Sequence, residues 1–98
     1  MGGTVVVEKD MALTHRDFFR LVPKAFPDGD YELTARGLVR RGADGRCLEI
    51  SLGPEGERRI ALLSIRTTPV TLAFTGYDDG TRTRTLALFD RAFQKGGG

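Results

Sequence analysis

Two hydrophobic periods alternate along the chain, and the positions where one gives way to the other mark its elements. Thr4-Val5-Val6-Val7 is a short β-branched run suited to a pleated surface, and it predicts a first strand with a frayed start at Gly2-Gly3. The spacing then becomes helical. Phe18, Leu21, Val22, Ala25 and Phe26 share one face, with Arg16, Arg20 and Lys24 on another. Thr14 is placed to accept from the backbone N–H of Asp17 while the Asp17 carboxylate reaches back, a shortened capping box, and Leu13 and Phe18 take the staple positions. Pro23 removes an internal donor, so the helix is expected to kink or to lose its regular form near Val22, and Pro27-Asp28-Gly29-Asp30 stops what remains.

From Tyr31 the period is two. Tyr31, Leu33, Ala35 and Val39 alternate with Glu32, Thr34, Arg36 and Arg40, which predicts one half-buried strand. After the turn Gly42-Ala43-Asp44-Gly45, Leu48, Ile50 and Leu52 alternate with Cys47, Glu49 and Ser51. Gly53-Pro54-Glu55-Gly56 has the chemistry of a short hairpin loop. Arg58 to Arg66 carries a nearly continuous apolar run (Ile60, Ala61, Leu62, Leu63, Ile65) and so predicts a central strand covered on both faces. Thr67-Thr68-Pro69 breaks that run, and Val70, Leu72 and Phe74 resume the alternation against Thr71, Ala73 and Thr75. Thr81 to Lys95 places Leu86, Phe89, Ala92 and Phe93 at helical spacing, with Gly96 as the expected stop and Gly97-Gly98 beyond it.

The order predicted is strand, helix, four-stranded antiparallel meander, helix: an α+β domain with both helices packed on one face of the sheet. Each helix has a single apolar stripe and the strands offer one consistently apolar face, so the contacts expected are Phe18, Leu21 and Phe26 from the first helix and Leu86, Phe89 and Phe93 from the second. Residues 1–98 read as a single domain, with 1–10 a loosely held N-terminal strand and 96–98 a flexible tail. In element order the chain resembles one half of the TATA-binding-protein fold and the helix-grip domains. That resemblance is of order alone and implies a layout of elements rather than an activity.

Size and composition agree with one core, since 98 residues of which 40% are hydrophobic and 29% charged describe an ordinary globular chain. The only thiol is Cys47, which excludes an internal disulfide framework. No apolar run approaches the ~20 residues of a membrane span, and the opening residues lack the basic start and apolar stretch of a secretory leader, so cytoplasmic residence is expected. The net charge of +2 is too mild to specify a partner.

Candidate chemistry is sparse. His15 is the sole imidazole and falls in the first turn of the first helix; with Cys47 far along the chain it supplies no zinc-ligand spacing and no nucleophile–base pair, so it reads as an exposed helix-start residue and Cys47 as a structural thiol. Asp78-Asp79 and Glu55/Glu57 lie in predicted turns, where carboxylates stay solvated. The glycines form neither a dinucleotide fingerprint nor a phosphate loop. The terminal glycines are similar to the tail of ubiquitin-like sulfur carriers, but here the tail follows a helix rather than a strand. No catalytic residue, cofactor or metal is therefore assigned.

Arginine is the notable usage, at 12 of the 15 basic residues. Seven of them fall between Tyr31 and Arg66, yet interleaved Glu and Asp leave that stretch at only +2. A mixed, solvated sheet face fits better than the single-sign patch that nucleic acid needs. The function expected is a non-enzymatic binding or adaptor domain, acting by protein–protein association or self-association on an uncovered sheet face around Arg36, Leu38, Arg40, Thr71, Ala73 and Thr75. The alternative is a nucleic-acid-binding module using the arginines of the strand meander.

Overall fold

The computed structural model describes residues 3–42 and 44–97. Their elements are β1 (Thr4–Met11), α1 (His15–Ala25), β2 (Glu32–Thr34), β3 (Gly37–Arg41), β4 (Cys47–Leu52), β5 (Gly56–Ile60), β6 (Leu63–Thr75) and α2 (Asp79–Gly97). The chain is α+β, as expected, with a six-stranded antiparallel sheet ordered β1-β6-β4-β3-β2 and β5 paired to β6.

The start of α1 follows the sequence expectation atom by atom. Thr14 Oγ1 accepts from the Asp17 N–H at 3.1 Å, and the Asp17 carboxylate accepts from the Thr14 N–H at 3.4 Å. A second acceptor, Glu55 Oε2, takes the His15 N–H at 2.8 Å and ties the helix start to the loop after β4. Pro23 does not end the helix at Val22. It sits inside the last turn, and burial of Val22, Ala25 and Phe26 holds that turn closed, with the Phe26 N–H donating to the Val22 carbonyl at 3.0 Å.

Three strand expectations are corrected. The stretch Tyr31 to Arg41 is a tight hairpin, not one strand: β2 and β3 pair as Leu33 with Leu38 and Glu32 with Val39, around a turn at Ala35-Arg36. Arg58 to Arg66 is likewise a hairpin around Ala61-Leu62, and its apolar residues are exposed rather than central. Thr67-Thr68-Pro69 breaks nothing, because β6 runs unbroken for 13 residues. The irregularity lies across from Pro69 instead. There Gly53, just past the end of β4, donates its N–H to the Pro69 carbonyl at 2.7 Å, while its own carbonyl, which proline has no N–H to serve, lies 2.7 Å from His15 Nε2.

Register decides what is buried. Leu48 faces Phe74, Ile50 faces both Leu38 and Leu72, and Leu52 faces Val70, so one parity of β3, β4 and β6 is apolar and buried. These residues form one cluster with Phe18, Leu21, Val22 and Phe26 of the first helix region and Phe89 and Phe93 of α2. The two helices meet directly: the Phe18 and Phe93 rings stack at 5.2 Å between centroids, and Phe93 lies 4.5 Å from Phe89. The start of α2 is capped by Asp78, whose carboxylate accepts from the Thr81 N–H at 2.7 Å and the Thr81 hydroxyl at 3.1 Å. The helix runs to Gly97, so the stop expected at Gly96 falls within it.

Candidate functional site

The opposite parity of the strands faces away from that core and is paved with small residues. Row by row it reads Thr4, Thr75, Cys47 and Arg41; then Val6, Ala73, Glu49, Val39 and Glu32; then Glu8, Thr71, Ser51, Gly37 and Thr34. Except for Gly37, none of these residues is buried. Its central column, Thr71, Ala73 and Thr75, has only short side chains.

Thr71, Ala73 and Thr75 therefore lie where the sequence places them, on the uncovered face. Arg36 is exposed but belongs to the β2–β3 turn. Leu38 and Arg40 do not belong to this surface. Leu38 is completely buried against Ile50, and Arg40 shares its parity. The physical reason is the turn at Ala35-Arg36, which reverses inside and outside between β2 and β3, so a parity carried straight through from Tyr31 assigns Val39 inward and Leu38 outward, the reverse of what the hairpin does.

The same face continues onto an arm. β6 is unbroken, so by strand parity Leu63 and Ile65 lie on the same side as Thr71, Ala73 and Thr75, beyond the point where β1 and β4 end, with the consecutive buried Thr67 and Thr68 between them. Only β5 accompanies it there. Arg58 of the arm bridges to Asp10 of β1 at 2.8 Å, and Ser64 hydrogen-bonds Glu57 across the ribbon. At the tip, Ile60, Leu62 and Leu63 are 51%, 102% and 66% exposed. The turn between them contains Ala61 at φ 56°, the one non-glycine residue among those described with positive φ, a conformation that disfavours a side chain by ~1–2 kcal/mol. A strained turn thus holds three large apolar side chains in solvent.

A cleft of about 460 Å³ opens on the other side of the molecule, beside the ends of α1 and β3. Arg40 crosses it in a bidentate pair with Asp28, at 2.7 and 2.8 Å, while its guanidinium carbon lies 5.0 Å from the Phe26 ring centroid. Arg46 lies 5.5 Å from the Tyr77 ring and bonds Asp44 at 2.9 Å. Burial pushes the Tyr77 phenol above its usual range. The Thr85 hydroxyl in the wall donates to the Thr81 carbonyl of its own helix at 2.9 Å. The arginines of the cleft are thus taken up by carboxylates, Arg40 by Asp28, Arg41 by Glu32 and Arg46 by Asp44, and brace this corner of the fold.

This brace has a pH signature. The Arg40 guanidinium holds the Asp28 carboxyl well below the usual carboxylate range, with the Asp30 N–H adding to it. A depressed folded-state pKa stabilises the protein above the unfolded value, near 4, and that stabilisation is lost as the pH falls below it. Because the carboxylate is half exposed, solvent screening keeps the effect small. Asp28→Asn is expected to be slightly less stable than wild type at pH 7, with the gap narrowing on acidification; urea titrations showing a constant gap from neutral pH to pH 2 would contradict this assignment.

The remaining sequence candidates have structural positions. The His15 imidazole lies 2.7 Å from the Gly53 carbonyl through Nε2, so it fastens α1 to the end of β4 and is half-buried rather than exposed. Cys47 is at the far end of β4, ~20 Å away at strand spacing. Glu55 caps α1, Glu57 bonds Ser64, and Asp79 pairs with Arg82 at 2.8 Å. Among the described residues no cluster of His, Cys, Asp and Glu could hold a metal ion, and no helix is long and apolar enough to cross a membrane. Five of the seven meander arginines have carboxylate partners: Arg40, Arg41, Arg46, Arg58 and Arg59. Comparison with protein-family models, with curated proteins and with solved structures finds no match to this chain.

Proposed function

We propose that this protein is a non-enzymatic association module whose hairpin arm and uncovered sheet face dock on protein surfaces, a further copy of the chain included. The observation carrying this reading is the arm tip. Ile60, Leu62 and Leu63 gather at one hairpin turn, lie outside the core and flank the strained Ala61, and exposed apolar clusters of this kind mark interaction sites. The column of short side chains Thr71, Ala73 and Thr75 offers a surface against which a second sheet or a helix can lie. The pairing of most meander arginines with carboxylates favours this reading over nucleic-acid binding, because those charges are already neutralised.

Sedimentation velocity over a wide concentration range tests it. Wild type is expected to form concentration-dependent species that the double variant Leu62→Asp/Leu63→Asp forms less readily. The denaturation midpoint of the variant should stay close to that of wild type, since neither side chain belongs to the core. Identical association of the two proteins would refute the role given to the arm.

A further inference from the structure

The sheet has two lateral edges, and they differ. β2 is a three-residue edge, too short to recruit much. β1 is eight residues long, with β6 on one side and, among the described residues, no strand on the other. Such an edge presents a row of backbone donors and acceptors, and proteins ordinarily blunt it with charge, proline or a covering element. Here the protection is confined to one half. Glu8, Lys9 and Asp10 charge the C-terminal part, with Lys9 held by Asp90 at 3.0 Å and Asp10 by Arg58. The N-terminal part is Thr4-Val5-Val6-Val7, in which Val5 is 40% exposed and Val6 54% exposed.

The edge is self-complementary in the antiparallel register centred on Val6. A two-fold axis perpendicular to the sheet keeps each side chain on its own face, so only pairings of like parity are allowed. Centred on Val6, these are Val6 with Val6, Val5 with Val7, Thr4 with Glu8, and Gly3 with Lys9. The exposed valines then cover one another and no charge meets a charge. Centred one residue later, on Val7, the pairing sets Glu8 against Val6 and Lys9 against Val5. Centred on Glu8, it opposes the two Glu8 carboxylates directly, which is destabilising.

We propose that a second copy of this chain pairs along β1 in the register centred on Val6, joining the two sheets into one continuous antiparallel sheet with an isologous interface. This edge is separate from the arm, so the pairing stands or falls independently of the role given to the arm.

Directly opposed antiparallel residues have Cα atoms ~4.5–5.5 Å apart, within disulfide reach. In a Cys47→Ser background, Val6→Cys is expected to give a disulfide-linked dimer under mild oxidation. Glu8→Cys, whose mate would stand ~13 Å away, should stay unlinked. A charge exchange excludes a simple folding defect. In the Leu62→Asp/Leu63→Asp background, Val6→Lys and Val6→Asp should each sediment as monomers at concentrations where that background dimerises, and mixing the two should restore a dimer. Absence of the Val6→Cys link, equal linking at Glu8→Cys, or no recovery on mixing would overturn the pairing. The Leu62→Asp/Leu63→Asp variant separates the two readings. Cross-linking that persists in this variant supports β1 pairing. Cross-linking lost with the arm residues overturns it and leaves the arm as the association site.

Discussion

Phe18→Ala is expected to reduce the unfolding free energy by about 3–5 kcal/mol, a large share of the 5–15 kcal/mol typical of a whole domain. The ring is completely buried where both helices meet the sheet, stacked on Phe93 at an interplanar angle of 13° and met edge-on by Phe19 at 5.3 Å between centroids. Truncation leaves a cavity bounded by elements from both ends of the chain, which cannot all collapse into it. Phe89→Ala falls in the same range for the same reason, being 1% exposed and in contact with Phe93. If the stack itself contributes, the double variant Phe18→Ala/Phe93→Ala will lose less than the sum of its parts by about 0.5–1.5 kcal/mol. His15→Ala is the contrast. It removes one hydrogen bond to the Gly53 carbonyl and is expected to cost about 1 kcal/mol. Denaturant titrations decide between these values. An unchanged midpoint for Phe18→Ala, or an equal loss for His15→Ala, would show that the core is misassigned.

What the sequence reveals and what it conceals divide along a physical line. The capping box at Thr14 and Asp17 is legible because its partners are three residues apart and need only a helix start to meet. The alternation of Leu48, Ile50 and Leu52, and of Val70, Leu72 and Phe74, is legible because one face of each strand is buried and the other is not. Both missed hairpins lack the usual turn signal. Ala35-Arg36 and Ala61-Leu62 contain no glycine, asparagine or proline, and the second turn even forces positive φ on an alanine. The only hints at the first were Thr34, whose hydroxyl accepts from the Arg36 N–H at 3.4 Å, and the glycine at 37. Reading through these turns misplaced Leu38 and Arg40 and turned an exposed arm into a central strand.

The candidate surfaces were partly legible for the same reason. Thr71, Ala73 and Thr75 follow from period-two alternation in β6 and need no long-range knowledge. The arm does need it. A run of Ile60, Ala61, Leu62, Leu63 and Ile65 has the composition of a buried strand, and only the pairing of Ile60 with Leu63 shows that the chain doubles back before any neighbour can cover it. Ion pairs such as Asp10 with Arg58, which lie 48 positions apart, appear only once β1, β5 and β6 are assembled.

Gly37→Ala is expected to be the least tolerated small substitution in the chain. A Cβ at residue 37 would overlap the Ile50 carbonyl oxygen outright and sit 2.8 Å from the carbonyl carbon, and both are main-chain atoms. Ile50 cannot give way, because β4 is held on both sides, by Leu38 of β3 and Leu72 of β6. The neighbouring Arg36 carbonyl is fixed as well, accepting from the Leu52 N–H at 2.7 Å. Relief therefore requires β3 to move away from β4, exposing the fully buried Leu38 and breaking the ladder that carries the β2–β3 hairpin. The loss should exceed the 1–3 kcal/mol of ordinary overpacking, with the added exposure of Leu38 contributing roughly another 1.5–3 kcal/mol. Gly56→Ala is the matched control: its Cβ would meet nothing nearer than Thr67 Oγ1 at 3.6 Å, so stability should barely change. Hydrogen exchange locates the damage. In Gly37→Ala the amides of Glu32–Thr34 and Gly37–Arg41 should lose protection first, while those of β1 and the C-terminal half of β6 keep theirs up to the global unfolding limit. Retention of wild-type protection in β3 would show that the approach of Gly37 to Ile50 is looser than this geometry requires.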